Sequence, residues 1–165
     1  MNPTNEEILA LVKDALEQTK IPYNFENETY IFQNWFKNDP NNVLFRIKVS
    51  EKTLIILTEH PLYCDKNETE MIKLVNLINC HYMMSALIFD VNKKQIINKH
   101  CISCFQSMPT PTMIRNALLL SLLYFDTFRI GLPDILLGHK AEDVFSSCLN
   151  KDKKFSSIKE PTLLN

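Results

Sequence analysis

The sequence predicts an α+β fold: an antiparallel sheet of about five strands packed by an N-terminal helix, a middle helix and a long apolar C-terminal helix. Three observations carry this. The hydrophobic period switches between helical spacing and a period of two, in the order α-βββ-α-ββ-α. Connections between the early strands are too short for parallel crossovers, which need about a dozen residues or more. Glycine is nearly absent: the chain of 165 residues contains two, Gly131 and Gly138, where ordinary usage of roughly 7% would supply several times as many. Dinucleotide-binding G-x-G-x-x-G turns, phosphate-cradling P-loops and G-x-S-x-G nucleophile elbows all depend on glycine, so the enzymes built on them are excluded.

The first helix starts at Thr4-Asn5-Glu6-Glu7, a Thr three residues ahead of a Glu, as in a capping box. Ile8, Leu11, Val12, Ala15 and Leu16 form its buried stripe, and Lys20-Ile21-Pro22 ends it. Tyr23-Asn24-Phe25 and Thr29 to Phe36 then face each other across Glu26-Asn27-Glu28. Asp39-Pro40-Asn41-Asn42 is a turn made without glycine. Val43, Phe45, Ile47 and Val49 alternate with Leu44, Arg46 and Lys48, the pattern of a half-buried strand with a wet outer face. Ser50-Glu51-Lys52 leads into Thr53 to Thr58, apolar on both faces and therefore central.

His60 to Asn67 is expected to be a loop. Glu68 to Met83 is the second helix, with Asn67 and acidic residues at its positive end. Ser85 to Asp90, a turn at Asp90 to Lys94, and Gln95 to Phe105 form a second hairpin. After Pro109 and Pro111 the longest helix runs from Thr112 to about Ile130, apolar almost all round. Gly131 and Gly138 each follow an apolar helical run, where a left-handed residue closes the last turn. Residues 1–145 are expected to form one domain, with a polar, mobile tail at 146–165.

In this order the chain resembles the YbjN family of bacterial sensory-transduction-regulator domains, whose fold is similar to that of type III secretion chaperones. The resemblance covers roughly residues 5 to 145 and rests on three features. They are the capped helix with a meander ending Leu54-Ile55-Ile56-Leu57, the N-x-x-N helix Leu74-Val75-Asn76-Leu77-Ile78-Asn79 leading into Ala86 to Asp90, and the proline-preceded helix ending near Phe125-Asp126. It implies a non-enzymatic regulator or chaperone-like binding domain without a cofactor.

Among candidate sites, Cys101-Ile102-Ser103-Cys104 has the spacing of half a zinc site or a redox pair. With His100, it founds the rival reading of a metal- or thiol-dependent sensor or enzyme. Inside a strand, however, residues three apart point to opposite faces. There is no second C-x-x-C, and Cys64, Cys80 or His60 would contribute only if folding gathered them. Asn76 and Asn79 share a helix face and either meet a partner or bond local backbone, the commoner use near a helix end. His60, His100 and His139 are scattered, and Asp90 is expected to begin a turn.

The strand Thr29–Phe36 is apolar on both faces, which makes Tyr30, Phe32, Trp35 and Phe36 candidate contact residues for a protein partner on an open sheet face or edge strand. The alternative is that both faces are covered. Ile114, Leu118, Leu122 and Phe125 of the long helix are the candidate dimer residues.

Bulk composition agrees with a soluble intracellular protein, expected in the cytoplasm. Net charge is −1, from 18 Lys+Arg and 19 Asp+Glu, so the broad positive field of nucleic-acid binders is missing. The longest uncharged apolar run is Asn116 to Phe125, half the roughly 20 residues of a membrane span. The acidic N-terminus lacks the positive start of a signal peptide, and five cysteines at irregular spacing read as reduced thiols.

Overall fold

The computed structural model describes residues 3–18, 20, 22–33, 43–81 and 85–155, with the backbone alone at 33, 124–126 and 151–155. Helix α1, Asn5–Gln18, opens with the capping box in both directions. The Thr4 amide donates to Glu7 Oε2 at 2.8 Å, and the Glu7 amide donates to Thr4 Oγ1 at 3.2 Å. Two early orphan amides are thereby satisfied by local chemistry alone.

Strands β1 (Asn24–Glu26), β2 (Thr29–Gln33), β3 (Leu44–Ser50) and β4 (Thr53–Tyr63) form an antiparallel meander. After helix α2 (Glu68–His81), strands β5 (Ala86–Asp90) and β6 (Gln95–Ser103) join with β6 against β4. The sheet has six strands in the order β1-β2-β3-β4-β6-β5, where about five were expected from the pattern. Strand β4 continues past the expected loop start at His60 to Tyr63, through a register shift between Glu59 and Tyr63 that accommodates Pro61.

Tight hairpin turns are made without glycine. Asn27 and Glu28 join β1 to β2 at φ 48° and 59°, and Glu51 and Lys52 join β3 to β4 at 48° and 55°. Both are two-residue connections with left-handed central residues, which match the twist of the flanking strands. The Glu51-Lys52 turn is tied from outside: the Lys52 amide donates to Asn5 Oδ1 at 3.2 Å, and the Lys52 carbonyl accepts from the Cys104 amide at 2.8 Å.

One sheet face carries the core. Tyr30, Phe32, Phe45, Ile47, Leu54, Ile56, Leu87 and Ile96 are buried there beneath α1, α2 and helix α3 (Pro111–Arg129). Phe32 stacks on Phe45 with centroids 4.8 Å apart, and each such buried side chain contributes about 1.5–3 kcal/mol. Thr110 caps α3, its hydroxyl accepting from the Met113 amide at 3.1 Å, with Pro111 at the first helical position.

Two short-range expectations change. Gly138 has φ 94°, as a left-handed helix stop requires. Gly131 instead has φ −85°. Its need for glycine is steric: a Cβ there would stand 2.5 Å from Val144 Cγ1 and 2.8 Å from Cys148 Sγ. Both neighbours belong to helix α5, Ala141–Phe155, which follows the short helix α4, Leu132–Leu136. The tail expected from residue 146 is therefore helical through Phe155, because Ala141, Val144 and Cys148 recur at helical spacing and are buried.

Candidate functional site

All described helices that meet the sheet do so on one face. The opposite face is built by alternation, since neighbouring side chains on a strand leave on opposite sides. Register aligns it into cross-strand rows. One runs Ile31–Arg46–Leu57–Lys99–Ala86, the next Thr29–Lys48–Ile55–Cys101, and another carries Leu44–Glu59–Ile97–Ile88. Ile31, Leu44, Ile55, Leu57 and Ile97 are half-buried by their neighbours, and Ile88 is 41% exposed. A hollow of about 250 Å³ opens beside β3, lined by Glu26, Asn27, Thr29, Ile31, Arg46, Lys48 and Leu57.

The charges on this face are unevenly partnered. Arg46 Nε donates to Glu59 Oε1 at 2.9 Å, a partly buried pair in which Glu59 is the better covered. Lys48 and Lys99 make no ion pair with a described residue. Asp90 is occupied by its own turn, its Oδ1 accepting from the amides of Asn92 and Lys93 at 3.0 Å each.

Both sheet edges are blunted. At β5 the Asn79 side chain acts as a short substitute strand: its Nδ2 donates to the Leu87 carbonyl and its Oδ1 accepts from the Leu87 amide, both at 2.8 Å. A partner strand would need those same two backbone groups. At the other edge, β1 has three residues, and alternation from the tight turn leaves one of them, Phe25, aiming its backbone groups outward. Of the N-x-x-N pair, Asn79 thus bonds backbone, while Asn76 is exposed.

Several expected contact residues are elsewhere. Tyr30 and Phe32 lie on the core side, 4% and 6% exposed, and the Tyr30 hydroxyl donates to the Leu9 carbonyl at 3.1 Å. They are packing residues, because their pairing to Ile47 and Phe45 fixes them on the helix-covered side. Trp35 and Phe36 lie outside the described residues. The expected dimer residues Ile114 and Leu118 are buried within the protomer, and Leu122 is half-buried against the core. The side chain of Phe125 lies outside the described set. Outward on α3 stand Leu119 and Leu123, with Ile130 exposed at its C-cap and Leu123 58% exposed.

The thiols are divided by the sheet. Cys101 is exposed on the open face, while Cys104, one residue past β6, is buried. Burial pushes the Cys104 thiol above its ordinary range, and it pushes Cys64 up to about 11, with a smaller contribution from Asp65. His100 aligns with Ile56 on the helix side. Cys101, Cys104 and His100 therefore do not converge. Among the described residues, no group of three or more His, Cys, Asp or Glu side chains could hold a metal ion.

Among the described residues, the antiparallel sheet carries helices on one face and leaves an apolar-basic surface on the other. Structures of two other proteins share this fold. YbjN of E. coli, described as a candidate transcription regulator, aligns with TM-score 0.58 at 8% identity, over 87% of this chain and 93% of its own. The HopA1–SchA chaperone–effector complex contains a chain that aligns with TM-score 0.53 at 12% identity, over 77% of this chain and 98% of its own. The fold is YbjN-like. No family model and no curated protein sequence matches the chain. No described helix is long and apolar enough to cross a membrane.

Proposed function

We propose that this chain is a non-enzymatic, chaperone- or adaptor-like domain that binds another protein on the open face of its sheet. The observation carrying this reading is the face itself. Six aliphatic side chains are left partly exposed by the described elements, while both edges are blunted against strand addition. Likeness of fold to a chain of a chaperone–effector complex supports the same reading. A cytoplasmic location, as the sequence predicts, is compatible with reduced thiols.

A photo-crosslinking residue placed at Ile88, on the face, is expected to yield discrete protein adducts in cells of the native organism. The same residue at Asp143, exposed on α5, serves as control. Adducts at Asp143 with none at Ile88 would refute the assignment.

Self-association is a second reading, favoured by the outward Leu119 and Leu123 of α3 and Ile130 at its C-cap. It predicts a dimer mass in light scattering and a monomer for Leu123→Glu. A monomeric wild-type protein would remove it.

A further inference from the structure

We infer that the partner segment seated on the open face is acidic as well as apolar: an extended chain that alternates aliphatic side chains with carboxylates. This rests on the docking reading above and adds the partner's chemistry. Lys48 on β3 and Lys99 on β6 flank β4 from its two sides, and between them lie Ile55 and Leu57. Strand spacing and rise put the two lysine Cα atoms about 12 Å apart. Two long, flexible stems from opposite sides can then converge on one carboxylate held over β4.

The other charges on the face do not supply that anion. Among the described residues, Glu59 is paired with Arg46 and Asp90 with its turn amides, while Glu26, in the same cross-strand row as Lys48 and lining the same hollow, makes no ion pair with either lysine. A second copy of this chain would present the same two lysines again, so a symmetric pairing of this face sets like charge toward like. A partner laying aliphatic groups on Ile55, Leu57 and Ile97, with carboxylates between them, satisfies both the apolar strip and the lysines.

The test uses three short fluorescent peptides that alternate leucine with aspartate, with glutamine or with lysine. The aspartate peptide is expected to bind tightest, with the glutamine version about tenfold weaker, the scale of losing two exposed charge contacts. Added salt and the double variant Lys48→Gln, Lys99→Gln are expected to bring the aspartate peptide down to the level of the glutamine one. Bound peptide should also slow alkylation of Cys101, which shares the face.

Equal binding of aspartate and glutamine peptides, both lost in Leu57→Asn checked for folding by circular dichroism, overturns the acidic chemistry and leaves the docking face standing. Tight binding unaffected by Leu57→Asn and by the lysine variants places the peptide elsewhere and defeats both readings. Absence of binding by all three peptides overturns the inference, while the crosslinking result judges the docking face separately. Cys101 protected without peptide, in a protein of dimer mass, assigns the face to a second copy and also overturns it.

Discussion

Side chains that hold left-handed backbone show what scarce glycine costs this chain. Glu51 and Lys52 both sit in the left-handed region, which costs a residue with a Cβ about 1–2 kcal/mol. Replacing the pair by Asn-Gly is therefore expected to raise stability by about 1 kcal/mol, after the extra freedom of glycine in the unfolded chain is counted. Urea denaturation measures this, and an unchanged or lower midpoint would contradict it. Thiol chemistry should separate just as sharply. In native protein at pH 8, Cys80 and Cys101 are expected to alkylate quickly, while Cys64, Cys104 and Cys148 react only on unfolding. Protection at Cys64 follows from a thiol pushed up to about 11, which leaves little thiolate to react. Mass spectrometry of partly labelled protein reads the order directly.

Among the elements, those with a strong local code were legible. A capping box announced α1, two prolines announced the start of α3, and strict alternation announced β3. Which side of β2 meets the helices was harder, because apolar residues occupy both of its faces. The discriminating signal lay on the neighbouring strand: Arg46 and Lys48 mark the wet side of β3, and Ile31 and Thr29 pair with them. Helix α5 was missed for another reason. Its Ser, Lys and Asn content hides a narrow stripe of Ala141, Val144 and Cys148, whose partner surface on α2, α3 and α4 exists only after folding. The edge clamp at β5 was only half visible, since spacing placed Asn79 near a helix end but could not show that it meets Leu87. Asn79→Ala removes two hydrogen bonds to backbone and is expected to cost about 2 kcal/mol. It also frees the edge, so light scattering on concentrated protein should show association that the wild type lacks. Unchanged stability would mean that water replaces both bonds without loss.

Taken as one molecule, the fold ties its C-terminal helices back to α2. Glu70 on that helix accepts from the Ala141 amide at 2.9 Å, placing a carboxylate at the positive end of α5, and it also bonds Lys73. Those two hydrogen bonds, Lys73 first, hold its carboxyl below the ordinary 4.5. A lowered folded-state value means that the contribution is complete above 4.5 and is lost as pH falls through the lower native value. Glu70→Gln is thus expected to melt below the wild type at neutral pH. The gap should close in acid, as thermal unfolding over a pH series would record. A gap that persists unchanged at the lowest pH would show that the carboxylate charge is not what holds α5.

Among the described residues, Glu70 is one of three side chains on or beside α2 that bond backbone later in the chain. Asn79 bonds Leu87 eight positions later; Asn67 Nδ2 donates to the carbonyls of Ile135 and Leu136, 68 and 69 positions later; Glu70 reaches Ala141 after 71. Each later segment meets a polar side chain that was synthesised before it. On a ribosome these ties can close only in chain order, β5 first, then the end of α4, then α5. Helix α2 is therefore a template laid down in advance, and the C-terminal third of the molecule completes itself against it as it emerges.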